Sequence, residues 1–304
     1  MARRNWHAGV MNQRISIDGV GVGHHTDAEA CTGCTVVLLP EGNTTSGEVR
    51  GGAPATRDFA LLDPARAVTA VDAVVLSGGS AFGLAASGGV VDGLEKLGRG
   101  YETTHAAVPI VVGMSLYDLG VGRADVRPTA ADGVTALDAA LANAGHPFEV
   151  GRVGAGTGAT VGNWLGADHA KRSGMGAGLA EDGDLSVAAL VALNSLGDVD
   201  DGGGSERFAE DPSVFAVPAE SRENTTIGMI ITNAALDKVG CHSLAQGAHD
   251  GLARSVFPSH TQSDGDAFVA SSIGTYEAQP TLLRALAVSA VERAIRSVQL
   301  GDGQ

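Results

Sequence analysis

The sequence predicts a mixed α/β fold (α/β or α+β) in which helices cover layers of sheet. Three observations predict it. Short apolar or alternating runs recur between Gly, Asp and Pro residues, the pattern of strands buried on one or both faces. Longer stretches with helical spacing lie between those runs, and such mixtures pack as sheet under helix. Glycine supplies 44 of the 304 residues, about twice the usual ~7% and without a collagen-like period, so it marks turns and close backbone approaches.

The strand runs fall at 14–22, 34–39, 72–77, 108–113, 186–194, 227–232 and 266–272, and the helical stretches near 81–98, 129–144, 236–256 and 280–299. The last helix is the clearest. Pro280 stands at its start, where a missing N–H costs nothing, and Val288, Val291, Ile295 and Val298 follow as one apolar stripe. Ser77-Gly-Gly-Ser-Ala-Phe-Gly83 reads as a turn from strand into a helix starting at Ala81; centred on Ser80, its second glycine arrives too late for a nucleophile elbow. From 197 to 224 the chain is rich in Gly, Asp, Ser and Glu and reads as a long surface loop that ends at Asn224, directly before a strand. The length suits one large domain or two modest ones, and no internal repeat divides it.

Charge narrows the function. Acidic residues outnumber basic ones 35 to 20, a net charge of −15. An acidic surface excludes nucleic acid as a partner, because phosphates need a basic face. The lysines are only Lys96, Lys171 and Lys238, consistent with a salt-rich cytoplasm or with a GC-rich genome that favours Arg. Cys31, Cys34 and Cys241 cannot build a disulfide framework; Cys31-Thr-Gly-Cys34 has redox or zinc spacing, but no second pair follows and Cys34 opens an apolar run. The N-terminus, Met1-Ala-Arg-Arg-Asn-Trp6, lacks the apolar stretch of a signal peptide. No apolar run nears the ~18 residues of a membrane span, so a cytoplasmic location without a membrane partner is expected.

The chemistry concentrates where that loop meets a strand, at Glu223-Asn-Thr-Thr-Ile-Gly-Met-Ile-Ile-Thr232. If the bond before Thr225 breaks, Thr225 becomes an N-terminal nucleophile. Its hydroxyl attacks the preceding carbonyl, the acyl group moves from N to O, and water hydrolyses the ester. The freed α-amine, with an ordinary pKa of about 8, then serves as base for the hydroxyl. A second Asn-Thr-Thr at Asn43 follows a Pro-Glu-Gly turn and leads into Ser-Gly-Glu, not an apolar strand. Asp264 and Asp266 flank a glycine just before another strand run, in His260-Thr-Gln-Ser-Asp-Gly-Asp266. Carboxylates this close repel, so their titrations couple and one retains its proton towards neutral pH. The alternative is an Asp-Gly-Asp turn. No metal is expected, because Asp-x-Asp lacks the other ligands of a calcium loop. Gly154-Ala-Gly-Thr-Gly-Ala159 fits a loose dinucleotide fingerprint, yet no apolar helix follows. No cofactor is therefore expected, and donation of backbone N–H groups to an oxyanion suits the loop better.

Together these segments resemble the L-aminopeptidase D-esterase/amidase family, which includes β-aminopeptidases and nylon-oligomer hydrolases. The matching stretches are Gly19-Val-Gly-Val-Gly-His24, Val49-Arg-Gly-Gly-Ala-Pro54, Leu76-Ser-Gly-Gly-Ser-Ala-Phe-Gly-Leu84, Gly154-Ala-Gly-Thr-Gly-Ala-Thr-Val-Gly162, Glu223-Asn-Thr-Thr-Ile-Gly228 and Asp264-Gly-Asp266, in order over nearly the whole chain. The resemblance implies an αββα sandwich like that of ornithine acetyltransferase and a single catalytic domain over 1–304. It implies self-cleavage between Asn224 and Thr225 into chains 1–224 and 225–304, and a homo-oligomer, often four cleaved pairs. It implies Thr225 as nucleophile with Asp264 and Asp266 as its carboxylate partners, Asn194 near the oxyanion and Tyr117 in the active site. Asn163 stands where many relatives place a Lys; it donates a hydrogen bond but carries no charge. The implied activity is hydrolysis of amide bonds in small peptides, amino-acid amides or related oligoamides. Acyl transfer of the ornithine-acetyltransferase type, or an uncleaved non-catalytic binding protein, are the alternatives.

Overall fold

The computed structural model describes residues 15–200, 203–210 and 224–301. Ten strands make two five-stranded sheets. The strands are β1 Gly21–Asp27, β2 Thr32–Leu38, β3 Thr44–Val49, β4 Ala55–Arg57, β5 Ala73–Ser77, β6 Val111–Ser115, β7 Gly174–Asp182, β8 Leu185–Leu193, β9 Ile227–Ala234 and β10 Ala267–Tyr276. One sheet has the order β1-β2-β5-β6-β4 and the other β7-β8-β9-β10-β3. Each contains a single parallel pair, β5 with β6 and β9 with β10. A parallel pair needs a long crossover, and here each crossover is a helix, α1 Ala85–Lys96 and α3 Lys238–Ala253. Helices α2 Ala130–Ala142 and α4 Pro280–Ser297 complete the outer layers.

The layers follow from alternation along the strands. In β5, Val74 and Leu76 point between the sheets, whereas Ala73 and Val75 face α1 and α2. In β8, Ala188, Leu190 and Ala192 point inward, and Val187, Ala189 and Val191 face α3 and α4. Strands covered on both faces read as continuous apolar runs, which is why these were visible in the sequence. The result is the expected αββα sandwich.

Edge strands were less visible. Apolar residues near 14–22 suggested a strand there, but the strand begins at Gly21, after a turn at Asp18-Gly19. Ile15 is buried instead through a loop whose carbonyl accepts from Phe148 N. β7 was not expected at all. Both strands use glycine because a helix backbone lies against them: a Cβ on Gly23 would stand 2.3 Å from Ala136 O, and one on Gly176 2.1 Å from Ala294 O. The same closeness shapes α4, where Ala287, Ala290 and Ala294 meet the sheet with Val291 and Ile295, while Val288 is only half-buried.

Asn43-Thr44-Thr45 leads into no apolar strand: Thr44–Val49 is the polar strand β3, where Thr45 Oγ1 lies 2.6 Å from Ser271 Oγ and Ser46 Oγ donates to Leu62 O at 2.6 Å. One further expectation needs correction. The expected loop 197–224 contains a short strand, Asp198–Val199, and a helix, Gly204–Glu210; its remainder at 201–202 and 211–223 lies outside the described residues, as does the Met1–Trp6 segment. The segment before α3 is tied down by Lys238. Its buried ammonium donates to the carbonyls of Leu61, Arg66 and Val68 at 2.7, 3.0 and 2.6 Å. Among the described residues, no helix is long and apolar enough to cross a membrane.

Candidate active site

Parallel pairing of β9 and β10 sets the site. Ile227 is level with Ala267, so the residues entering the two strands, Asn224–Thr226 and Asp264–Asp266, run side by side at one sheet end. A bridge pairs Asn224 with Asp264. β8 runs antiparallel to β9 with Ala192 opposite Ile227, which brings its exit residue Asn194 to Thr225. β3 leaves β10 at the same end, and Arg50, Gly51 and Ala53 donate backbone N–H bonds to the carbonyls of Asp266 and Asp264. Four segments distant in sequence thus meet at the start of two strands.

Thr225 is buried, and its N–H donates to Asn194 O at 2.6 Å. Its hydroxyl donates to Asn224 O at 2.5 Å. The same carbonyl oxygen accepts from Gly265 N at 3.0 Å. A side chain at 265 would not fit, since a Cβ there would stand 2.6 Å from Thr225 Oγ1. The carbonyl oxygen of Asn224 therefore accepts from both the Thr225 hydroxyl and a backbone donor.

The two carboxylates are almost fully buried and differently partnered. Asp264 accepts from Leu196 N at 3.2 Å through Oδ1, and through Oδ2 from Thr261 N at 2.9 Å and Thr261 Oγ1 at 2.6 Å. Asp266 accepts from Thr226 N at 2.8 Å through Oδ1, and through Oδ2 from His260 N at 3.1 Å and the His260 ring. Burial, then the charge of Asp266, pushes the Asp264 carboxyl up to about 6. These bonds hold the pair beside the Asn224–Thr226 backbone, whereas the Thr225 hydroxyl is turned to Asn224 O.

Asn194 is fully buried and held at both ends of its amide. Its Oδ1 accepts from Thr160 N at 2.9 Å, and its Nδ2 donates to Tyr117 O at 3.0 Å. Tyr117 thus enters the site through its backbone carbonyl. Asn163 donates to Thr160 Oγ1 at 3.0 Å and to Asn224 Oδ1 at 2.9 Å, so it grips the residue before Thr225. Asn224 Nδ2 is buried and has no hydrogen-bond partner among the described residues.

The glycine loop 154–159 leads into the site. It is a buried 3₁₀ turn with neither a preceding strand nor a following helix, so it lacks the dinucleotide-binding context. Its first two donors are taken by side chains: Gly154 N bonds Thr26 Oγ1 and Ala155 N bonds Thr35 Oγ1. What it delivers is Thr160, the partner of Asn194. The turn after β5 enters a helix at Ser80, one residue before the expected Ala81. Cys34 lies under α1 and α2 with its thiol pushed up to about 12 by burial, an inert core residue. Among the described residues, no group of three or more His, Cys, Asp or Glu side chains is arranged to hold a metal ion. Sequence reasoning missed Thr160, the Gly265 N–H and Thr261, which have no local signature, and gave His260 no role.

A model of peptidase family S58 matches residues 12–299. An uncharacterised aminopeptidase of Mycobacterium leprae is 39% identical over 303 residues, covering 90% of this chain and 82% of that protein. A 6-aminohexanoate-oligomer endohydrolase of Paenarthrobacter ureafaciens is 30% identical, covering 84% of this chain and 74% of its own length. Among solved structures, a Burkholderia sp. β-aminopeptidase superposes with a TM-score of 0.68 at 22% identity, over 96% of this chain and 93% of that one. The L-aminopeptidase D-Ala-esterase/amidase of Ochrobactrum anthropi, described as a variant of the Ntn hydrolase fold, gives 0.69 at 20% identity, over 95% and 88%. At these identities the two structures speak to the fold.

Proposed function

Because the chain belongs to peptidase family S58, and so is a hydrolase of amide (peptide) bonds, we propose that it cuts itself between Asn224 and Thr225 and then uses Thr225 as an N-terminal nucleophile. One observation carries this reading: Asn224 O lies between the Thr225 hydroxyl at 2.5 Å and the Gly265 N–H at 3.0 Å.

In the cutting step, Thr225 Oγ1 adds to the Asn224 carbonyl carbon and its proton leaves for the neighbouring carboxylate pair. The Gly265 N–H stabilises the oxyanion that forms; a donor of this kind is worth roughly 10²–10³ in rate. Collapse breaks the C–N bond, with a proton passing to the nitrogen, and leaves an ester on Thr225 Oγ1. Water hydrolyses the ester into chains 1–224 and 225–304. The new α-amine stays beside Asn194 O, which already accepts from Thr225 N. In turnover that amine takes the hydroxyl proton as Thr225 attacks a substrate carbonyl and returns it to the leaving amine. Asn194, fixed by Thr160 and Tyr117, and Asn163 line this centre. The substrates are small peptides, amino-acid amides or oligoamides, with water as acceptor, and the enzyme works as a cytoplasmic homo-oligomer of cleaved pairs.

N-terminal sequencing and intact mass test the proposal. The purified protein should give a small chain beginning Thr-Thr-Ile-Gly, and Thr225→Ala should remain whole and inactive on amide substrates. A wild-type chain that hydrolyses amides while staying whole would overturn it.

A further inference from the structure

Asp266 is held by a residue that the reaction above does not use. His260 has a left-handed backbone, φ 55°, an uncommon state for a residue with a Cβ. That conformation aims both its N–H and its ring at one oxygen: His260 N lies 3.1 Å and Nδ1 2.9 Å from Asp266 Oδ2. The other ring nitrogen, Nε2, lies 3.2 Å from His249 O. Carboxylate and carbonyl oxygens are both acceptors, so a ring that makes both bonds carries a proton on each nitrogen and is an imidazolium.

The surroundings favour this charge on balance. Burial and the nearby Arg50 work against it, but the hydrogen bond and charge of Asp266 outweigh them and hold His260 above its ordinary value. The other histidine in contact, His249, faces its ring edge-on at 4.9 Å. Burial pushes it down to about 3, so it stays neutral and adds no competing cation. Asp264 is the remaining charged group, and Arg50 is committed to Glu48 and Asp250.

We propose that His260 is a positioning residue: its imidazolium is the counter-ion of Asp266, bound to one oxygen through two bonds, and so directs the proton of the pair to Asp264. Asp266 in turn holds Thr226 N, and the cation therefore also anchors the backbone next to the nucleophile. The proposal rests on the reading that the pair serves Thr225, but its test does not require the chain to cut.

The test follows the Asp264 carboxyl by carboxyl-carbon NMR in uncut Thr225→Ala protein, its signal identified by loss in Asp264→Asn. His260→Asn keeps a side-chain amide donor near the Nδ1 position and tolerates the left-handed backbone, but removes the charge. His260→Asn frees Asp266 to compete for the shared proton, so the Asp264 midpoint should fall by about one pH unit, as it should in Asp266→Asn, which removes the like charge outright. In the parent protein the His260 ring signals should remain those of an imidazolium above pH 6.5, its ordinary value. In mature His260→Asn the pH–rate limb should move in the same direction as the carboxyl. An Asp264 midpoint that stays or rises in His260→Asn, a neutral His260 ring at pH 6.5, or a loss of rate that is uniform across pH overturns the proposal. A wild-type chain that never cuts would sink the nucleophile instead and leave these titrations standing.

Discussion

Replacing Asp264 with Asn should alter stability by different amounts in acid and at neutrality. Burial and the charge of Asp266 push this carboxyl from 3.8 to about 6. The folded chain then binds the proton more tightly than the unfolded chain, so stability is fullest below the unfolded value and is lost as pH rises through about 6. The displacement spans about two pH units, and at about 1.4 kcal/mol per pH unit it amounts to about 3 kcal/mol. Asn has no proton to lose and is insensitive across the window. Its single amide oxygen can replace only one carboxylate oxygen, so either Leu196 N–H or the Thr261 donors lose an acceptor, at about 1–3 kcal/mol whatever the pH. The Asn variant should therefore be the less stable protein near pH 4 and should gain about 3 kcal/mol on its parent by pH 7, reaching parity or better. Urea unfolding of Thr225→Ala with and without Asp264→Asn, at several pH values, measures this. The difference between the two curves isolates Asp264, with its coupling to Asp266, from the other titrating groups. A difference that is constant with pH refutes the reasoning.

Other outcomes follow from the same geometry. Gly265→Ala would place a methyl 2.6 Å from Thr225 Oγ1, and a displacement of about 1 Å in a reacting group costs about 10² in rate; a gel time course of cutting that matches wild type would contradict this. Asn163→Lys should move the acid limb of the pH–rate profile to lower pH, because a nearby cation disfavours protonating the Thr225 amine; a move to higher pH would contradict the electrostatics outright. Lys238→Met strips the donor from three carbonyls and should cost at least about 1–3 kcal/mol, read as a lowered Tm, while the wild-type and variant chains cut alike.

Much of this arrangement is written in local patterns. The interior strands are apolar on both faces, so β5, β8, β9 and β10 stand out, and Pro280 marks the start of α4. Thr225 and the Asp264–Asp266 pair are legible because each directly precedes such a strand. The rest depends on distant partners. Glycines in β1 and β7 look like loop residues until a helix backbone is laid against them. Thr160 matters only because Asn194, 34 residues later, folds back to it. His260 stands in the sequence without a role because that role comes from a backbone turn that aims it at Asp266, and spacing carries no record of φ.

The interleaving of the second sheet bears on how the protein is made. In the order β7-β8-β9-β10-β3, a cut before Thr225 assigns β9 and β10 to the small chain and leaves both of their neighbours, β8 and β3, on the large one. Before the cut, closing that sheet is a first-order event, with the two parts tethered at an effective concentration of about millimolar or more. Afterwards, reassembly from denatured chains is a bimolecular encounter whose rate scales with concentration, and each separated piece exposes unpaired strand edges while it waits. The uncut chain thus acts as its own assembly template, used once. Denatured mature enzyme should regain activity in poor yield that depends on dilution, whereas denatured Thr225→Ala should refold at a rate independent of concentration.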